Sequence, residues 1–387
     1  MEHAAPRNPL PRSTYRWVVG GLFFLQGLCF ATWASRIPSI QQQLSLSEAD
    51  LGFALLALPA GLMVSLPLSG WLVARMGSAR VVVGALFLYG LVLASLGQAR
   101  SLAQLSVGLF AFGFAGNLVN ISVNTQGVGV EGLYQRSIMA SFHGMWSLAG
   151  FTAAAVGTVL MGAGVVPALH FVAVMLGVWA VTAVSARFTL KEDAGAKAGG
   201  RVFAVPDKPL LVLGVIAFCC MMCEGAMFDW SGVYFQQVVK ADKAWVGTGY
   251  ATFMASMATG RFIADWLTRK LGLRRVFQVS GGLICLGLML AVGLPYLPTA
   301  LLGFLLVGFG VSSVVPLVYG AAGRSKTMPA GVALAAVSTI GFLGFLVGPP
   351  VIGLLASLSS LRLSFTLIAA MGLCVAILAT AKKEEAT

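Results

Sequence analysis

The chain reads GWLVARMGSAR at residues 70–80 and, near its middle, GRFIADWLTRKLGLRR at residues 260–275. Each stretch closes an apolar run long enough to cross a membrane, and each sets glycine beside a cluster of basic residues. Glycine permits tight turning and close helix approach, and the basic residues hold such a turn at a polar face. The same Gly-plus-basic loop at the same place in both halves of the chain predicts a duplicated helical unit.

Twelve apolar segments flank these loops: 16–36, 50–73, 80–98, 102–126, 138–161, 165–187, 209–234, 246–267, 276–294, 298–321, 330–356 and 362–381. They are continuously apolar rather than alternating over about ten residues, which predicts membrane helices and not barrel strands. Charged residues make up only 10% of the 387, against about 25% in soluble proteins. One segment breaks the rhythm. KEDAGAKAGGRVFAVPDKP, 191–209, is charged, rich in Gly and Ala and closed by two prolines, as suits a flexible linker. The expected architecture is an all-α membrane protein of twelve transmembrane helices in two pseudo-symmetric six-helix bundles. The N-terminal bundle covers 1–190, a cytoplasmic linker 191–208 and the C-terminal bundle 209–387.

The net charge of +12 would suit a nucleic-acid partner if it were clustered on one soluble face. Instead Lys and Arg fall at the termini and in the loops after even-numbered spans, Arg75, Arg80, Arg136, Lys197, Arg201, Lys270 and Arg275 among them. The opposite loops hold Arg36, Arg100, Lys240, Lys243 and Arg362. This asymmetry follows the positive-inside rule and predicts both termini in the cytoplasm, in a multi-pass protein of a bacterial-type inner (plasma) membrane. The lipid bilayer, not nucleic acid, is the expected macroscopic partner, and nothing in the sequence demands more than a monomer. The polar start and long first span predict a retained helix rather than a cleaved signal. The six cysteines all fall inside apolar spans; Cys220 and Cys223 have a metal-like spacing but no second pair, so neither metal nor cofactor is expected.

The loops at 70–80 and 260–275 resemble the signature G-x-L-x-D-R-x-G-R-x-R of the major facilitator superfamily, and the likeness in topology extends over essentially the whole chain. The first copy carries Ala74 where the signature is acidic; the second offers Asp265 with a longer basic stretch after it. FATWASRIP (30–38), VNTQGVGVE (123–131), SFHGMWSLAG (141–150), EGAMFDWSGVYF (224–235) and GFLVGPPVIG (344–353) together resemble the branch that includes rhizopine-transport-like proteins. The resemblance implies transport by alternating access, with the signature loops gating the bundles through charge contacts. Arg75, Arg80, Arg261 and Asp265 are then the gating candidates.

Ionisable residues at membrane depth are costly and mark substrate or proton paths. Glu224 and Asp229 lie well inside the seventh span. Five positions turn a helix through about 140° and advance it about 7–8 Å, so the two do not form a paired dyad. Desolvation favours a neutral carboxyl, which makes Glu224 the leading proton-coupling candidate, with Asp229 and His143 beside it. The bland alternative for each is a structural hydrogen bond. Asn117, Asn120 and Asn124 follow one another at spacings of three and four, on one helix face that Glu131 continues. They are expected to contact a polar solute or to glue helices. Gln26, Trp146 and Trp230 are further substrate-binding candidates, with Trp230 equally suited to an outer aromatic belt. Arg36 is expected to be an interfacial anchor by snorkelling, or else to draw an anionic solute or pair with Asp229. Pro349 and Pro350 are expected to kink the eleventh span and serve gating.

These residues predict a secondary active transporter coupled to protons as a symporter. Its partners are protons and a small polar solute, of sugar or polyol type. Proton-coupled export of a metabolite or drug could use the same carboxylates, although the Gly-Pro signature that the superfamily's drug antiporters carry in the fifth span is missing. A receptor would need a soluble signalling module, and an enzyme a convergent nucleophile or metal cluster; neither is legible.

Overall fold

A computed structural model describes residues 10–134, 138–191, 207–325, 327–328 and 330–381. The described residues form helices and connecting turns, with no strand among them. In chain order the helices are α1 (Arg12–Leu44), α2 (Glu48–Met76), α3 (Ser78–Leu96), α4 (Leu102–Tyr134), α5 (Met139–Gly162), α6 (Pro167–Ser185), α7 (Lys208–Gln237), α8 (Thr248–Gly293), α9 (Leu297–Ser312), α10 (Val314–Ala322), α11 (Ala330–Leu358) and α12 (Leu361–Ala381). Their ends are written in the sequence. Ser47 and Asp50 form a reciprocal capping box at the start of α2. Proline occupies the first turn of α6, α7 and α9, where its missing N–H leaves no helical bond unmade.

The crossings differ from the expected spans at two places. Residues 246–267 and 276–294 join in α8, a single 46-residue element whose helical backbone is interrupted at Gly272 (φ 78°, ψ 157°). Gly77, between α2 and α3, has nearly the same conformation (φ 83°, ψ 145°), so both copies of the repeated loop turn on a left-handed glycine. The tenth crossing is divided at Ser313 into α9 and α10. Among the described residues eleven segments are long and apolar enough to cross a membrane, Trp266–Gly293 being one. The first arm of α8, which begins at Thr248, precedes that segment and is not among the eleven.

Aligning Gly77 with Gly272 places Trp71 on Trp266, Arg75 on Lys270 and Arg80 on Arg275, by the common offset of 195. In each copy the cation stacks on its tryptophan, at 5.2 Å for Arg75 over Trp71 and 5.2 Å for Lys270 over Trp266. In this register the acidic position of the signature is Ala74 in one copy and Arg269 in the other, whereas Asp265 falls on Gly70. Asp265 lies within α8, and its side chain is outside the described residues.

Residues 31–38 of α1 and 219–228 of α7 are buried without interruption. Helices apolar all round belong at a centre. Outward faces instead expose large apolar side chains such as Phe262, Val107 and Leu169. The two bundles meet through α1–α7, α2–α11 and α5–α8. At α2–α11 the backbones touch: a Cβ on Gly52 would lie 2.7 Å from the Pro349 carbonyl oxygen, and one on Gly353 2.9 Å from Gly52 Cα. The α11 helix runs on through Pro349 and Pro350. These prolines therefore stand at the contact between bundles.

At the start of α7, Asp207 Oδ1 accepts from the Leu210 N–H at 2.9 Å and Oδ2 from the Thr327 hydroxyl at 2.5 Å. These two donors hold the Asp207 carboxyl below the usual carboxylate range, against a smaller opposing effect of desolvation.

Candidate functional site

Arg261, on the first arm of α8, organises the middle of the molecule. Its Nη2 stands 3.4 Å from Glu224 Oε1 on α7, the one ion pair found among the described residues. Its Nη1 donates to Ser147 Oγ on α5 at 2.8 Å, and its guanidinium lies 5.9 Å from the centre of the Trp146 ring. One cation of the second bundle thus reaches a carboxylate of its own bundle and a hydroxyl of the other. At 3.4 Å the ion pair is looser than the 2.7–2.9 Å of a tight charged hydrogen bond. The Ser147 hydroxyl donates onward to the His143 carbonyl at 3.2 Å. The His143 ring is exposed and meets Phe23 of α1 edge-on at 5.2 Å.

A layer of aromatic rings lies next to this triad. Phe228 is one turn beyond Glu224, on the same side of α7. Its ring meets Phe30 of α1 at 5.3 Å and Trp146 of α5 at 6.5 Å, and within its own bundle Phe253 at 5.7 Å and Phe345 at 6.4 Å. Edge-on geometry dominates, as the ring quadrupoles prefer. Asp229 is half-buried and its side chain makes no hydrogen bond or ion pair with the described residues; the buried Tyr250 hydroxyl, itself without a partner, is within electrostatic reach of both Asp229 and Glu224. The two carboxylates differ in their direct partners: Glu224 has Arg261, and Asp229 has none among the described residues.

The amide stripe divides. Asn117 is 2% exposed, and its Nδ2 donates to Ser65 Oγ at 2.7 Å and Ser69 Oγ at 3.2 Å, both on α2. This side chain joins α4 to α2 and is turned away from the other amides. Asn120 Oδ1 accepts from Gln26 Nε2 at 3.3 Å and from Asn124 Nδ2 at 3.1 Å. Gln26 Oε1, Asn120 Nδ2 and Asn124 Oδ1 keep their hydrogen-bonding capacity, and all three residues are half-buried. Glu131 does not extend the stripe: its Oε2 accepts from the Ile138 and Met139 N–H groups at the start of α5, where a carboxylate offsets the helix dipole.

Two further expectations are corrected. Trp230 is 0% exposed and packed inside its bundle, since one step along α7 from Asp229 turns it about 100°. Arg36 is 1% exposed rather than snorkelling, and donates to the Val165 carbonyl instead of pairing with Asp229. Its position late in a 33-residue helix kept it inside the bundle. Ser147, Phe30, Phe228 and Tyr250 are not among the residues expected from the sequence. Ser147 and Phe228 were legible as i+4 neighbours of His143 and Glu224; Phe30 and Tyr250 carry no signal apart from their packing.

The sequence profile of the Major Facilitator Superfamily matches residues 19–328. An uncharacterised MFS-type transporter of Yersinia pestis is 34% identical over 361 residues, covering 93% of each chain. An uncharacterised transporter of Sinorhizobium fredii is 31% identical over 96% of this chain and 98% of its own, and the membrane protein MosC of Rhizobium meliloti 29% identical over 97% and 96%. Among solved structures, an inward-facing, unoccupied bacterial homologue of the human lysosomal transporter Spinster superposes with a TM-score of 0.78, at 14% identity over 96% of both chains. The nucleoside transporter NupG superposes at 0.75, with 15% identity over 95% of this chain and 98% of its own. At such identities the likeness is one of fold. Profile and full-length relatives agree: the chain belongs to the major facilitator superfamily, a family of membrane transporters and not of enzymes.

Proposed function

We propose that this protein is a substrate–proton symporter that takes up a small polar solute by alternating access. The observation that carries the reading is Arg261 joined to Glu224 within its bundle and to Ser147 across the interface. Protonating Glu224 removes the charge that positions the guanidinium, and so loosens the contact through which α8 holds α5. Proton arrival and bundle movement are coupled at one side chain. Gln26, Asn120 and Asn124 supply donors and acceptors for solute hydroxyls, and Trp146 a face for a ring.

We place both termini in the cytoplasm, from the loop charges, and take the rigid moving bodies to be 1–190 and 209–387, joined by 191–208. Contacts between the bundles at Pro38–Gly232, Gly52–Gly353 and Ala244–Gly162 lie at the face away from the termini, and Gly150–Met254 and Gly144–Phe262 continue the α5–α8 contact towards the other face. We take the state to be inward-facing from the close approach of the Gly52 and Gly353 backbones at the first face. The protein acts as a monomer in the inner membrane, and Arg75, Arg80 and Asp265 serve gating at the cytoplasmic face, with Pro349 and Pro350 at the opposite closure. The test is reconstitution in vesicles with an inward proton gradient and a panel of labelled polar solutes. Gradient-driven accumulation of a solute supports symport; expulsion of solutes or dyes without any accumulation contradicts it.

A further inference from the structure

At the end of the first bundle away from the termini lies a group of buried polar side chains that the transport reading leaves unused. Arg36 of α1 donates through Nη2 to the carbonyl of Val165, two residues before α6 begins. Its Nε and Nη1 are buried and meet no protein acceptor, and no carboxylate among the described residues is within ion-pairing distance. Facing it, His170 in the first turns of α6 is 3% exposed with both ring nitrogens unpartnered, and the guanidinium is within its electrostatic reach. Thr32 and Trp33, one turn back on α1, are fully buried, and their hydroxyl and indole N–H also lack partners. The rings of Trp33 and His170 both approach Phe171, at 6.4 and 6.0 Å. Arg36, Trp33 and His170 thus lie together between α1 and the start of α6, with Thr32 one turn back on α1.

The sign of this place is positive. A buried guanidinium without a counter-ion is strongly disfavoured, and the N-terminal end of α6 adds further positive potential. Donors outnumber acceptors: two guanidinium N–H sites, an indole N–H and an imidazole N–H face one imidazole nitrogen and one hydroxyl. We propose that this place binds a small inorganic anion, a halide. The surroundings favour a monatomic ion over a carboxylate or phosphate. All four side chains are nine-tenths buried or more, and α5 presses close: a Cβ on Gly157 would meet the Ser35 side chain and come within 3.8 Å of the His170 ring. The bound ion neutralises Arg36 and ties α6 to the stretch of α1 that carries Phe30 and the Pro38–Gly232 contact. It thereby stiffens one side of the interface between bundles.

The test is the thermal unfolding midpoint of the purified full chain in detergent, in sodium chloride, bromide, gluconate or sulfate at equal ionic strength. Chloride and bromide are expected to raise the midpoint by about 3 °C over gluconate and sulfate, with a saturable dependence on halide concentration. Arg36→Gln is expected to abolish the halide-specific rise, and His170→Phe, which keeps the ring and removes its nitrogens, to shift it to higher halide concentration. Equal midpoints in all four salts overturn the proposal, as does an undiminished halide response in Arg36→Gln. Should Arg36→Gln fail to fold, an unchanged concentration dependence in His170→Phe overturns it as well.

Discussion

At the scale of single residues the polar side chains fall into those that hold helices together and those left free to act. Asn117 and Asn120 make the contrast testable. Asn117→Ala is expected to lower stability by roughly 0.6–2 kcal/mol, the range for polar contacts between membrane helices, while leaving transport per folded molecule unchanged. Asn120→Ala, which also breaks the Gln26 bond between α1 and α4, is expected to weaken solute uptake per folded molecule as well as lower the midpoint; midpoints and uptake measured on both variants check the division. Asp207 gives a pH-dependent case. Its carboxyl is held below the unfolded value by the Thr327 hydroxyl and then the Leu210 N–H, so its contribution is present above about pH 4 and is lost as pH falls through the depressed folded value. Asp207→Ala should therefore unfold at lower temperature than the wild type at pH 6, and the gap should shrink steadily below pH 4. Glu224 stood out in the sequence because a carboxylate amid continuous apolar residues is conspicuous. Arg261 was legible as a gating candidate, but its pairing with Glu224 was not, since the two are separated by 37 positions. Asn117 takes the second of its two expected roles, joining helices, while the burial of Trp230 and Arg36 was not legible: helical spacing fixes which residues share a face, not which neighbour that face meets.

At the scale of elements, crossings were legible from apolar runs and their ends from caps and prolines. The joining of two crossings in α8 was not, because a left-handed glycine can either end a helix or turn it sharply. Gly272 has open space around its missing Cβ. Gly272→Ala is therefore expected to cost about 1 kcal/mol through backbone conformation alone, seen as a lowered unfolding midpoint with packing unaltered. Pro349 and Pro350 announce an irregular helix in sequence, yet their use emerges only from α2, whose Gly52 packs on the Pro349 carbonyl. Gly353→Leu is expected to hold the bundles apart at this end. Cysteine-accessibility labelling should then report more access from the face away from the termini than in the wild type.

For the molecule as a whole, the duplicated loops foretold two bundles, and the paired glycines at 77 and 272 show how literal the duplication is. The site uses the duplication asymmetrically: amides come from the first bundle, the ion pair from the second, and Ser147–Arg261 is the polar bond between them. Arg261 keeps 26% of its side chain exposed and Glu224 10%, so removing Arg261 strands the more buried charge, and Glu224→Gln, which keeps the shape of the side chain, is the better variant for isolating coupling. The most direct measurement is solute flux in proteoliposomes for wild type and Glu224→Gln, under an imposed proton gradient and again as counterflow exchange without one. The wild type is expected to accumulate solute above equilibrium, and Glu224→Gln to exchange it without accumulating it. Undiminished gradient-driven accumulation by Glu224→Gln would rule out proton coupling at this carboxylate.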